Sequence, residues 1–204
     1  MQQIILNKIS KKFGQSVIFR RIEAEIGPGV HGVAGPNGSG KSTLMKCIAG
    51  LIRPDAGKIS WEVEGSPLKP QQLYRQLGFS APYIRMYNEL SCTENIRLVC
   101  ELSGRAVGDD EIRAQLSVTG LQAKTETWYG QLSSGQQQRV RLVSALIKKT
   151  PFLLLDEPGT NLDTAGFAYI GSVTAKAREE GQTLIIASNE SRELDLCDKI
   201  IRIK

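Results

Sequence analysis

The run Gly35-Pro36-Asn37-Gly38-Ser39-Gly40-Lys41-Ser42-Thr43 satisfies G-x-x-x-x-G-K-[ST]. It lies between an apolar stretch, Val30 to Ala34, and a segment, Lys41 to Ala49, in which Leu44, Cys47 and Ile48 recur at helical spacing. A strand feeding a glycine-rich turn and then a helix is the context that a polyphosphate cradle requires. Glycines let the backbone wrap the anion with its amides pointing inward, and the helix presents its positive end to the same charge. In such a cradle Lys41 reaches the β- and γ-phosphates, Ser42 offers its hydroxyl to Mg²⁺ and Thr43 stands beside the α-phosphate. A plain glycine-rich turn has no need of the lysine or of both flanking elements.

The rest of the chain fits an α/β fold around that loop. Apolar residues alternate through Ile4, Leu6 and Ile9 and again through Val17, Phe19, Ile22, Ala24 and Ile26, which predicts half-buried antiparallel strands. Phe152 to Leu155 and Thr183 to Ala187 are continuous apolar runs of strand length, the pattern of parallel strands covered on both faces, with Thr164 to Glu180 as a crossover helix. Between about 84 and 149 the pattern is helical, over Glu94 to Ser103, Asp109 to Val118 and Ser134 to Lys149. The expected architecture is one domain over 1–204, with a mostly parallel sheet, an antiparallel β subdomain and a helical subdomain inserted at about 84–149.

Composition narrows the function classes. No apolar run approaches the roughly 18 residues that a membrane-spanning helix needs, and Met1 to Lys12 carries no apolar signal core. The 4 cysteines, Cys47, Cys92, Cys100 and Cys197, show no CxxC spacing, which fits reduced thiols in a cytosolic protein. The formal charge of +5 comes from basic residues scattered among 21 acidic ones, so direct nucleic-acid binding is not expected. The single histidine, His31, sits in the strand before the loop and reads as structural.

Two further constellations carry chemistry. Phe152 to Leu155 ends in Asp156-Glu157-Pro158, delivering two carboxylates to the edge of a parallel sheet where ligands bind. Asp156 is suited to the Mg²⁺ shell, and Glu157 to orienting or deprotonating a water. Leu132-Ser133-Ser134-Gly135-Gln136 opens a long helix. Ser133 with Gln136 forms either an S-x-x-Q capping box or, with the helix amides, a second anion site, and spacing does not choose between these.

The loop, the Leu132 to Gln136 segment, the Leu153 to Pro158 run and Asn161-Leu162-Asp163 occur in the order and placement of ATP-binding cassette (ABC) domains, which the chain resembles over nearly its whole length. The resemblance implies an ATPase using ATP and Mg²⁺, in which Ser133, Ser134, Gly135 and Gln136 of one subunit close over the nucleotide on the loop of another. It implies a homodimer or heterodimer, a separately encoded transmembrane permease, and a place on the cytoplasmic face of the membrane. Phe13 matches the aromatic residue that stacks on adenine, with a core or edge aromatic as its rival. Asp163 matches the acidic end of a segment at the dimer interface, and can equally cap the helix that follows.

The sequence also departs from the family. The glutamine that helps bind Mg²⁺ and water falls at Pro82, which has no side-chain ligand, and the histidine that contacts the γ-phosphate falls at Asn189. Asn189 can donate a hydrogen bond but cannot become cationic. Ser134 stands where glycine is common. These changes predict slow hydrolysis with Glu157 and Asn189 in the catalytic roles. The rival functions are a non-transport cassette ATPase of the repair, chromosome or translation type, and a nucleotide-gated binding module with little turnover.

Overall fold

The computed structural model describes residues 1–203. The chain opens with a long hairpin of β1 (Gln2–Phe13) and β2 (Ser16–Ile26). The inward set Ile4, Leu6 and Ile9 breaks strict alternation, and the backbone accommodates it with a register shift between Leu6 and Ile9, where Lys8 takes φ 49°. All three side chains are buried as a result.

β3 (Gly29–Ala34) leads through the phosphate-type loop into α1 (Lys41–Ile48). The antiparallel sheet is then completed by β4 (Ala56–Val63) and β5 (Ser66–Leu68), in the order β2-β1-β4-β5. It is joined to the rest of the core by Trp61, whose buried indole donates to the Ile48 carbonyl at 2.9 Å. That bond occupies an orphan carbonyl at the end of α1, while the ring packs among Ile4, Leu44 and Phe152 in one cluster.

After the single turn α2 (Leu73–Gln76) comes β6 (Leu77–Ser80), and then the helical segment: α3 (Cys92–Leu102), α4 (Asp109–Val118) and α5 (Ser134–Leu146). α3 begins two residues earlier than the sequence pattern suggests, because Ser91 and Glu94 form a reciprocal capping box at 3.1 and 2.7 Å. α5 ends at Leu146, short of Lys149, whose φ of 50° is incompatible with helix. These helices enclose their own apolar cluster of Ile96, Ile112, Leu116, Val140 and Val143.

The chain returns to the central sheet with β7 (Phe152–Asp156), α6 (Thr164–Glu179), β8 (Thr183–Ser188), the short α7 (Ser191–Leu194) and β9 (Lys199–Arg202). The sheet is entirely parallel, ordered β6-β7-β8-β3-β9. Every residue of β7 and β8 is buried, which explains why they read as unbroken apolar runs. Each buried Leu or Ile there contributes about 1.5–3 kcal/mol. This fixes the height of the strand ends, and the carboxyl ends of β3, β6, β7 and β8 share one edge.

Candidate active site

The loop after β3 is shaped by Gly40, which caps α1 at φ 97°, a conformation that costs a β-carbon-bearing residue dearly. A β-carbon there would also meet Ile18 Cγ2 at 2.4 Å. The turn closes through Ser39 N–H donating to the Pro36 carbonyl at 3.1 Å, and the first helical bond is Leu44 N–H to Gly40 at 2.8 Å. The amides of Lys41, Ser42 and Thr43 find no acceptor within the described residues. They are the free positive end of the helix.

Lys41 is buried and folds back, its ammonium donating to the carbonyls of Gly35 at 2.9 Å and Pro36 at 3.1 Å. A polyphosphate can exchange these neutral acceptors for charged ones, which bind about twice as strongly. A hollow of about 290 Å³ is lined by Ile18, Asn37, Gly38, Gly40, Lys41, Ser42, Thr43 and Glu157.

Beneath the loop, Asp156 ends β7 with no exposed surface, and neither carboxylate oxygen has a hydrogen-bond partner of normal geometry. Burial raises its pKa, opposed by the hydroxyls of Ser42 and Tyr83 nearby. A buried, unpartnered carboxylate beside a hydroxyl and free helix amides is the donor set that a hard divalent cation with its phosphate oxygens would complete. The residues present therefore fit Mg²⁺, and Ser42 and Asp156 are the side chains that would hold it.

Glu157 sits one residue on, at φ 48°, held there by its amide donating to Ala187 at 2.8 Å. Such backbone costs about 1–3 kcal/mol and recurs at functional sites. Glu157 lies on the rim of the hollow.

Ser133 makes the capping box that its sequence allows: its amide donates to Gln136 Oε1 at 3.0 Å, and its hydroxyl accepts from Gln136 N–H at 3.3 Å. With Ser134, Gly135, Gln136, Arg139, Asn161 and Asp163 it lines a second, open hollow of about 460 Å³ that shares no residue with the first. Gly135 approaches Asn161 so closely that a β-carbon would lie 2.6 Å from its carbonyl oxygen. Asp163 caps α6 by accepting from Gly166 N–H at 2.8 Å and pairs with Arg139 at 2.8 Å. These two contacts hold its carboxyl below the ordinary range.

The remaining sequence candidates are less enclosed. Phe13 is more than half exposed at the tip of the first hairpin, with Lys11 5.3 Å from its ring, so it is not a core aromatic. Asn189 follows β8 on the shared edge and is exposed. Pro82 lies exposed in a turn after β6. His31 is buried against the Gly27 carbonyl at 3.0 Å, and burial lowers its pKa, in keeping with a structural role.

The structure adds residues that sequence reasoning passed over. Tyr83 lies beside Asp156; the residue is 37% exposed, yet desolvation of its phenol and the nearby carboxylate both push its pKa up. Glu193 is buried, accepts from Gly159 N–H at 2.7 Å and leaves Oε2 unpartnered, tying α7 to the segment after Glu157. Gln138, buried on α5, donates to the Pro158 carbonyl at 3.3 Å. A glutamine and a glutamate at inward helical positions were the available signal for the last two.

The ABC transporter family model matches residues 19–160. The lipoprotein-releasing system ATP-binding protein LolD of Legionella pneumophila is 31% identical over 83% of this chain and 78% of its own length. The cytochrome c biogenesis ATP-binding export protein CcmA of Vibrio parahaemolyticus is 29% identical over 93% of each chain. A bacterial ABC transporter cassette solved as a dimer superposes with a TM-score of 0.83 at 26% identity, covering 98% of this chain and 94% of that one. A dimeric cassette in a post-hydrolysis state, bound to ADP and phosphate, has the same fold, with a TM-score of 0.85 at 24% identity over 98% of this chain and 94% of that chain. The free amides, the orphan carboxylate and these relatives converge, and the chain belongs to the ABC transporter family as an ATP-binding subunit with the ATPase fold and activity of that family.

Proposed function

We propose that this subunit binds ATP with Mg²⁺ on the Gly35–Thr43 loop and hydrolyses it slowly, as half of a dimer that drives a separately encoded membrane subunit. The observation that carries this reading is the stacking of three functions at one sheet edge: loop amides, the unpartnered Asp156 beside Ser42, and Glu157 on the rim. Mg²⁺ held by Ser42 and Asp156 would offset negative charge on the β- and γ-phosphates. Lys41 leaves the Gly35 and Pro36 carbonyls for the same oxygens. Glu157 takes a proton from the attacking water as its oxygen bonds to the γ-phosphorus and the bond to the bridging oxygen breaks, leaving ADP and phosphate.

A second subunit supplies Ser133, Ser134, Gly135 and Gln136 over the γ-phosphate, because within one chain the hollow at these residues is separate from the loop hollow. Phe13, free at the hairpin tip, stacks on the base, and Asp163 lies at the interface while capping α6. The partner subunit is either a copy of this chain or another cassette. Among the described residues no helix is long and apolar enough to cross a membrane. We assign the transport path to a permease and place this chain against its cytoplasmic face, with the exposed Leu102, Val118 and Trp128 of the helical segment as apolar docking surface.

Slow turnover follows from Asn189, which can offer an amide hydrogen but no cationic charge, and from Pro82, which offers no ligand; each missing contact is worth about 1–3 kcal/mol. ATP turnover of the purified protein against Glu157→Gln tests the reading. The variant should fall by about 10²-fold or more, and equal rates would reject Glu157 as the base. Wild-type protein that dimerises with ATP but shows no turnover would favour the gated binding module, which Pro82 and Asn189 would permit.

A further inference from the structure

The turn after β6 brings an aromatic hydroxyl to the cation side of the site. Ser80 pairs with Leu155, so the chain leaves β6 beside the residue that precedes Asp156. It then turns sharply, with Ile84 N–H donating to the Ala81 carbonyl at 3.1 Å. Pro82 and Tyr83 are the two central residues of this turn, and proline at the first of them pre-sets the required backbone angle. Pro82 is thus the residue that aims Tyr83.

The Tyr83 ring is held on two sides. The Lys46 ammonium, one turn into α1, lies 4.0 Å from its centroid. Phe79 of β6 meets it edge to face, at 6.2 Å and 66°. Both contacts are of the kind that fix a ring in place. They hold the ring with its phenol beside the Asp156 carboxylate, neither oxygen of which has a hydrogen-bond partner among the described residues.

We propose that Tyr83 is a positioning residue for the divalent cation of the ATP site, its hydroxyl orienting the Asp156 carboxylate in this chain where Pro82 can offer no ligand. The inference rests on the functional reading above. Residues that hydrogen-bond a metal-ligating carboxylate typically change metal affinity by about 10–100-fold when removed. Tyr83→Phe deletes the hydroxyl alone and keeps the ring that Lys46 and Phe79 hold.

The test is calorimetric titration of ATP into wild-type protein, Tyr83→Phe and the control Tyr87→Phe, whose phenol is exposed elsewhere on the same segment. Each is measured once with Mg²⁺ and once with a chelator. Tyr83→Phe should weaken binding with Mg²⁺ by about 10-fold and leave binding in chelator and the melting temperature at wild-type values, while Tyr87→Phe matches wild type throughout. Equal affinities for Tyr83→Phe and wild type with Mg²⁺ would overturn the proposal, as would an equal loss in chelator, which marks a merely structural role. Wild-type protein that binds no ATP in either buffer would overturn the functional reading itself, and this inference with it.

Discussion

The loop hollow and the Ser133 hollow are both built on a helix amino terminus, yet they differ in nearly everything else. The first grows out of the parallel sheet: Lys41 and Asp156 are buried, and the backbone is locked between fully buried strands. The second lies on the surface, its serine is exposed, and its hydrogen bonds are spent on capping its own helix. A helix terminus alone therefore does not make a nucleotide site. The first offers more because the amides of Lys41, Ser42 and Thr43 find no acceptor among the described residues and a carboxylate stands unpartnered beneath them, whereas the second, on the function proposed above, meets its anion on another chain.

Three substitutions probe that contrast, beginning with the largest expected effect. Lys41→Ala removes the charge-assisted bonds to phosphate and should weaken ATP binding by about 10–100-fold, read by titration calorimetry on the isolated subunit. A variant that binds as wild type would mean the loop does not carry the nucleotide. Gly135→Val strikes the other hollow, where a β-carbon meets the Asn161 carbonyl at 2.6 Å. Its ATP affinity as a single subunit should stay within about 2-fold of wild type, against the cost of a lost bond, while ATP-dependent dimers disappear from sedimentation profiles. Equal loss of both properties would erase the distinction between the two regions.

The smallest effect concerns Glu193, which ties the edge together behind Glu157. Burial holds its carboxyl above its ordinary 4.5 in the folded chain, against the opposing influence of the nearby Ser188 hydroxyl and the Gly159 amide. The folded state thus binds this proton more tightly than the unfolded state, so the contribution to stability is complete below pH 4.5 and is lost as pH rises through the folded value. Glu193→Gln stays neutral and keeps an acceptor for Gly159. Its melting temperature should gain on wild type by a few degrees between pH 4.5 and 8, at about 2–4 °C per kcal/mol. Parallel curves across that range would show that burial does not govern this group.

Much of this molecule is legible in sequence because its strongest features are local. The two inner strands announce themselves as apolar runs, and the loop, the acidic pair and the Ser133 capping box each lie within nine residues or fewer. β4 and β6 are harder to see: β4 carries Gly57, Lys58 and Glu62, and β6 has four residues. Their strand character comes from neighbours they pair with across the sheet, since propensity in strands is chiefly packing. The bulge in β1 is likewise settled by which side chains must enter the core.

The same division runs through the phosphate-type loop and its neighbours. Residues 35 to 43 carry the pattern of a polyphosphate cradle, and the placement of Asp156 and Glu157 after a buried strand is legible in the chain itself, because amide direction, glycine freedom and chain order are properties of contiguous residues. The nearness of Tyr83 to Asp156, the brace from Glu193 to Gly159 and the exposure of Asn189 emerge from the fold alone. Those relations depend on how strand ends align at one sheet edge, and that alignment is set by packing among residues far apart in the chain.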